Sequence, residues 1–223
     1  MFSNYCVIFD MDGVLADTGP IHYESWVKMG AEIGVEFTRE IFDETFGQQS
    51  PTITRKLVGP ELEEDLIEKW ASLKEQYYRE MIREKLKPLP GAIRIIKDLK
   101  SAGFRLAIGS SGPLENVELL LSQLKIKPFF DTIITSADVN KGKPEPEVFL
   151  HAAKNLNIKP ENCVVIEDAP VGIEAAKRAG MMSIALTTTH NKQQLFGAQI
   201  IIKDLTEISI EDIKSLFDKN ADC

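Results

Sequence analysis

The chain has 223 residues, 43% of them apolar, and a formal net charge of −8 at pH 7, which is material for one α/β core with a smaller attachment and too apolar for a disordered segment. That acidic balance, with no lysine or arginine block, argues against nucleic acid as a partner, and no run approaches the roughly 18 apolar residues of a membrane span. Cys6, Cys163 and Cys223 lie far apart with no C-x-x-C pair, which speaks against both a disulfide framework and a zinc site; Cys6 and Cys163 are expected in strands as small hydrophobes. No basic leader precedes the first apolar run, so a cytoplasmic protein is expected.

That first run, Cys6–Phe9, is read as a strand, and it ends in Asp10-Met-Asp12-Gly. Two positions apart in an extended segment, Asp10 and Asp12 point the same way. Like charges this close need an opposing one: either one carboxyl keeps a proton or a divalent cation bridges them, and oxygen-only ligands suit Mg²⁺. A calcium loop fits poorly, because the glycine comes in the fourth place and a strand precedes.

From about residue 20 to 86 the pattern is helical, rich in Glu and Lys, with no apolar strand. It reads as an inserted all-helical domain over 19–86, bordered by Thr18-Gly-Pro20 and Pro88-Leu-Pro-Gly91, which stop helices. The Glu61–Glu75 charge run within it is read as a solvated helix face.

Beyond it, apolar runs at Phe104–Ile108, Thr132–Ile134, Cys163–Ile166, Ser183–Leu186 and Gln199–Ile202 alternate with helical patterns at Ala92–Ala102, Glu115–Leu124, Pro146–Leu156 and Gly172–Ala179. Such alternation predicts a doubly wound parallel sheet, built from 1–18 and 87–223, with strands buried on both faces. Ligands bind such sheets beyond the carboxyl ends of the strands. The loops there carry Ser110 and Ser111 between glycines, Lys143 between a glycine and a proline, and Glu167-Asp168 behind Cys163–Ile166. Two acid pairs, a hydroxyl loop and a lysine on one sheet edge describe a site for Mg²⁺ and a phosphoryl group. Asp10 is the candidate nucleophile and Asp12 the general acid and base. Ser110 and Lys143 would steady the phosphoryl oxygens, and Glu167 and Asp168 would complete the metal shell with Asp10. His151 and His190 have no partner in sequence and are read as ordinary surface or core residues.

Taken together, DMDGVLADT, Ser110, GKPEP and EDAPVGIEAAKRAG resemble the four motifs of the haloacid dehalogenase superfamily, in order from residue 10 to 180. The resemblance implies a Rossmann-like core with a helical cap of the type found in phosphoglycolate phosphatase, sugar-phosphate phosphatases and β-phosphoglucomutase. It implies an aspartyl phosphate on Asp10, metal ligation by the Asp12 backbone carbonyl as well as Asp10, Glu167 and Asp168, and a phosphorylated small molecule as partner. Asp12 separates the chain from the metal-free dehalogenases. In the cap, His22, Trp26 and Lys74 resemble residues of β-phosphoglucomutase, and Gly47 stands at its cap glycine.

Here the chain departs from that mutase. Gln48-Gln-Ser50 stands where the mutase has a phosphate-binding arginine, and Gly112-Pro-Leu114 where it has a serine, a lysine and an asparagine. The expectation is a Mg²⁺-dependent phosphatase acting on a sugar or polyol phosphate, as a monomer or weak homodimer, with Thr18 and Gly19 as the cap hinge. A β-phosphoglucomutase-like mutase is the alternative, and a phosphoacceptor switch or a non-catalytic protein a remote one. A receiver-type switch would be shorter, lack the insertion and carry its aspartate after the third strand.

Overall fold

The sheet owes its form to alternation within each short apolar run. In β1 (Cys6–Phe9), Val7 and Phe9 face one side and Cys6 and Ile8 the other, and every one is fully buried. The computed structural model describes residues 2–83 and 85–220; Cys223 lies outside them. Six strands form a parallel sheet in the order β3-β2-β1-β4-β5-β6: β2 (Arg105–Gly109), β3 (Thr132–Ile134), β4 (Cys163–Glu167), β5 (Met182–Leu186) and β6 (Ile200–Ile202) join β1. The register sets Ile8 between Ala107 and Val165 and Phe9 between Ile108 and Ile166.

The expected core architecture is therefore present, with one correction. β3 and β6 are the sheet edges, and Thr132, Ile133, Ile200 and Ile201 stay half-buried; only the central strands are covered on both faces. On one face pack α5 (Ala92–Ala102), α6 (Leu114–Gln123) and α9 (Ile210–Asn220), through Ile95, Leu99, Val117, Leu121, Ile213 and Phe217. α7 (Glu147–Asn155) and α8 (Pro170–Arg178) cover the other, through Val148, Phe149, Ala152, Ala175 and Ala176. Phe149 lies under the end of β2: a Cβ on Gly109 would come within 2.9 Å of its ring, so truncating Phe149 to Ala should cost about 3–5 kcal/mol.

Between β1 and α5 the chain leaves for four helices, α1 (Gly19–Ile33), α2 (Arg39–Thr45), α3 (Ser50–Val58) and α4 (Glu64–Ile82). Pro20 occupies the first turn of α1, where its missing N–H costs nothing, and Thr38 caps α2 by accepting the Ile41 N–H at 3.3 Å. These helices have their own apolar centre of Trp26, Met29, Phe37, Phe42, Phe46, Ile53 and Tyr77, with Trp26 stacked on Phe37. A second, smaller cluster of Ile21, Tyr78 and Ile82, with Leu119 of α6, lies where they meet the sheet layer. The outgoing and returning strands of the connection run together: Ala16 bridges to Pro88, and the Leu89 N–H donates to the Leu15 carbonyl at 2.9 Å.

None of the described helices is long and apolar enough to cross a membrane. Cys6 and Cys163 are both buried, side by side on β1 and β4.

Candidate active site

The strand order reverses direction at β1: the chain goes to β2 and β3 on one side and to β4, β5 and β6 on the other. A crevice opens beyond the carboxyl end of β1 at such a switch point, and the residues following β1, β2, β4 and β5 all project there. Asp10 directly follows β1, and its N–H is anchored to the Ile166 carbonyl at 2.9 Å. Glu167 ends β4 and Asp168 follows it. One carboxylate oxygen from each of Asp10, Glu167 and Asp168 lies within 4.8 Å of the others, and all three residues are buried.

Lys143 reaches into this cluster from the loop that follows β3. Its ammonium donates to Asp10 Oδ1 and to Glu167 Oε1, each at 2.6 Å, and lies 4.9 Å from the centre of the Phe149 ring. Glu167 Oε2 accepts the backbone N–H groups of Asp168 and Ala169, so β4 and the start of α8 fix its orientation. Close backbone approach is part of the design. A Cβ on Gly13, whose φ is +77°, would fall 2.0 Å from Asp168 Oδ2, and one on Gly172 would fall 1.8 Å from Glu167 Oε1.

Three buried carboxylates share one ammonium, leaving an excess of negative charge out of water. Burial, joined by the charges of Glu167 and Asp12, pushes Asp10 up to about 7 against the pull of Lys143. Burial, joined by the charges of Glu167 and Asp10, raises Asp168 well above the usual carboxylate range. The Lys143 ammonium, although burial opposes its charge, is held by Asp10 and Glu167 and rises above its ordinary value. Such a set of hard oxygen donors with surplus negative charge fits a divalent cation such as Mg²⁺.

Asp12 lines the same cleft but engages other partners. Its Oδ1 accepts the Tyr78 hydroxyl at 3.1 Å and lies 3.1 Å from His22 Nε2, off the hydrogen-bond line. Its carboxylate does not join the Asp10, Glu167 and Asp168 cluster, so any ligation by Asp12 falls to its backbone carbonyl. Burial alone would raise Asp12; His22, with support from Thr18 and Lys74, brings it below its ordinary value. Lys74, 1% exposed, donates to His22 Nδ1 at 2.7 Å and to Glu75 Oε1 at 2.9 Å. An ammonium has no lone pair, so His22 Nδ1 accepts and the ring proton sits on Nε2, facing Asp12.

The other sequence candidates converge here too. Ser110, buried at the end of β2, takes the Gly112 N–H on its hydroxyl oxygen at 3.0 Å and lines the cleft with Ser111, Gly47, Gln48 and Trp26. The Ser111 hydroxyl donates to the Gly47 carbonyl at 2.8 Å, joining the loop after β2 to the helical insertion. Trp26 lines the cleft and also packs in the apolar centre of the four helices, and Lys74 lies 5.2 Å from its ring centre.

One expectation is corrected. The solvated face expected for Glu61–Glu75 holds for Glu61, Glu63, Glu64 and Glu68 but fails at Glu75, which is 6% exposed and lines the cleft. α4 packs on α6 there, and Asn116 of α6 donates to Glu75 Oε2 at 2.6 Å while accepting from Arg79 at 2.9 Å. His190, expected as a surface or core residue, is a buried one. Buried in the loop after β5, it sets Nδ1 3.1 Å from the Asp168 carbonyl and Nε2 3.2 Å from the Asp43 carbonyl at the end of α2. Sequence reasoning also passed over Thr188 and Thr189. Thr188 donates to the Gly13 carbonyl at 2.6 Å and Thr189 to the Asp168 carboxylate. The signal was available, since both follow Ser183–Leu186 at the edge where every other site loop begins.

Comparison with known proteins places this geometry among relatives. The family model described as haloacid dehalogenase-like hydrolase matches residues 7–186. The validoxylamine A 7'-phosphate phosphatase of Streptomyces hygroscopicus subsp. limoneus is 32% identical over 212 residues, covering 90% of this chain and 94% of that protein. The β-phosphoglucomutase of Bacillus subtilis is 32% identical over 213 residues, covering 92% of each chain. In structure, the β-phosphoglucomutase of Clostridium difficile superposes with a TM-score of 0.88 at 27% identity, over 98% of this chain and 99% of that one. With a parallel sheet, an insertion after its first strand and acids at two strand ends, the chain belongs to the haloacid dehalogenase-like hydrolase family.

Proposed function

We propose that the protein is a Mg²⁺-dependent phosphatase that hydrolyses a small sugar or polyol monophosphate through an aspartyl phosphate on Asp10. The observation that carries this reading is the convergence of the Asp10, Glu167 and Asp168 carboxylates around the Lys143 ammonium. When bound by Asp10, Glu167, Asp168 and the Asp12 carbonyl, Mg²⁺ supplies positive charge that offsets the phosphoryl oxygens. Lys143 and Ser110 hold those oxygens while the second Asp10 carboxylate oxygen attacks phosphorus and the bond from phosphorus to the substrate oxygen breaks. Asp12 takes up the proton carried by the bound phosphate monoester and passes it to the leaving oxygen. It then takes one from water, whose oxygen attacks the phosphoryl group, and the bond to Asp10 breaks to free inorganic phosphate. Residues 19–86 act as a cap that closes over the cleft, with Thr18 and Gly19 as hinge and the His22–Lys74 pair steering Asp12.

Relatives include a mutase, and a mutase must hold a bisphosphate at both ends. Lys143 serves the phosphoryl group at Asp10; on the insertion side of the cleft Lys74 is the single lysine or arginine among the described lining residues, and it is paired with Glu75, which favours hydrolysis over mutation. The test measures inorganic phosphate release from a panel of hexose, pentose and polyol phosphates, with Mg²⁺ and with a chelator. Conversion of β-glucose 1-phosphate primed by glucose 1,6-bisphosphate is followed in parallel. Metal-dependent release without isomerisation is expected; isomerisation with little release would replace this reading by the mutase.

A further inference from the structure

We infer that Glu75 determines specificity: with Ser50 it receives donor hydroxyls on the part of the substrate remote from the phosphoryl group and turns away a second phosphate. The inference rests on the phosphatase reading and adds to it the residue that chooses the substrate.

The argument is an accounting of donors and acceptors. Glu75 is a buried acid whose Oε1 accepts from Lys74 and from the Ser50 hydroxyl, and whose Oε2 accepts from Asn116 Nδ2. A carboxylate offers about four lone-pair positions, so one on Oε2 stays open. Burial works against its charge, but Lys74 and Ser50 outweigh it and hold Glu75 below its ordinary value; the group is an anion and only accepts. Ser50 has given its one proton to Glu75, so its hydroxyl oxygen meets the cleft as an acceptor too. Asn116 gives one amide N–H to Glu75 and accepts from Arg79.

At Glu75 and Ser50 the wall opposite Asp10 thus presents acceptors, and the Lys74 ammonium beside them is turned to His22 and Glu75. A sugar or polyol hydroxyl complements these acceptors by donating. A phosphate dianion brings only acceptors and a charge of the same sign as Glu75, which is repulsive design against that ligand. The neighbouring hollow, reached past Ser50, Glu75 and Ser111, does not reverse the sign. Arg79 is its one cation among the described residues, against the acids Glu68, Glu75 and Glu115.

The experiment uses the full chain with Mg²⁺ and separates binding from turnover. In an Asp10→Asn background, where a ligand survives, calorimetry gives dissociation constants for sorbitol 6-phosphate and fructose 1,6-bisphosphate. Hydrolysis of p-nitrophenyl phosphate by the wild-type chain separately tests the phosphatase reading. The expected preference for the monophosphate is about tenfold or more, falling by about tenfold when Glu75→Gln is added. Ser50→Ala, which frees a carboxylate position and removes an acceptor, should lower affinity for the polyol without admitting the bisphosphate. It also serves if the Gln variant fails to fold. Equal binding of the two ligands by the Asp10→Asn chain, or an unchanged preference in both variants, overturns the inference. Absence of p-nitrophenyl phosphate hydrolysis with the preference intact overturns the phosphatase reading alone.

Discussion

The two walls of the cleft are built on different principles. The core wall hangs Asp10, Ser110, Glu167 and Asp168 from the ends of neighbouring parallel strands, where β1 is clamped on both sides by hydrogen-bonded register. The insertion wall presents His22 from α1 and Lys74, Glu75 and Tyr78 from α4, helices joined to each other by side-chain packing and to the core by a few polar contacts such as Asn116–Glu75 and Ser111–Gly47. One wall is fixed by backbone ladders. The other is held by side-chain contacts alone, among them the Ile21, Tyr78, Ile82 and Leu119 cluster, which fits the proposed division of chemistry on the core side and selection on the insertion side.

If that division is right, damage to the core wall should abolish turnover and damage to the insertion wall should only tune it. The largest effect is expected for Asp10→Asn. Removing a nucleophile from a group of residues that act together costs about 10⁴-fold or more, and phosphate release with no covalent phosphoprotein after acid quench is the measurement. Turnover within a hundredfold of wild type would place the nucleophile elsewhere. A smaller loss is expected for His22→Asn, because His22 touches Asp12 and not the reacting phosphorus. General acid–base catalysis is worth about 10²–10⁴-fold, and the loss of its partner should cost part of that, about ten- to a hundredfold in kcat. The direction of the pH profile gives the sharper test. His22 lowers Asp12, so without it the limb of kcat/KM that reports Asp12 should move to higher pH; a limb that stays put would make His22 a packing residue.

The same division explains what could be read before the fold was known. Apolar runs such as Cys163–Val–Val–Ile166 declare a buried strand, a parallel sheet sends all its carboxyl ends to one edge, and acids behind two such runs must then meet. Asp10, Glu167 and Asp168 were legible for that reason. Lys143 was less so, since it lies nine residues past the end of β3 and its aim depends on the loop that carries it. Glu75 was not legible at all. On a helix, whether a charge in a run of Glu and Lys meets water depends on what packs across it, and the partner here, Asn116, lies 41 residues away on another element. The neighbours of His190, Asp168 and Asp43, were not legible for the same reason, since they come from opposite walls.

The finest test of the division is Asn116→Ala. Asn116 is buried at the start of α6, donating to Glu75 and accepting from Arg79, and both partners belong to α4. The variant leaves every core-wall side chain in place and removes two polar ties between the walls. Leaving a buried acceptor unsatisfied costs about 1–3 kcal/mol, and in a chain of this size each kcal/mol lowers Tm by roughly 2–4 °C. The closed arrangement loses only part of that, about 0.7–1.4 kcal/mol, so KM should rise about three- to tenfold while kcat falls less, because the groups on Asp10's side of the cleft are untouched. Steady-state kinetics beside a thermal melt separate the possibilities. A matched fall in kcat at constant KM would mean that Asn116 acts on the chemistry, and that the two walls are not independent.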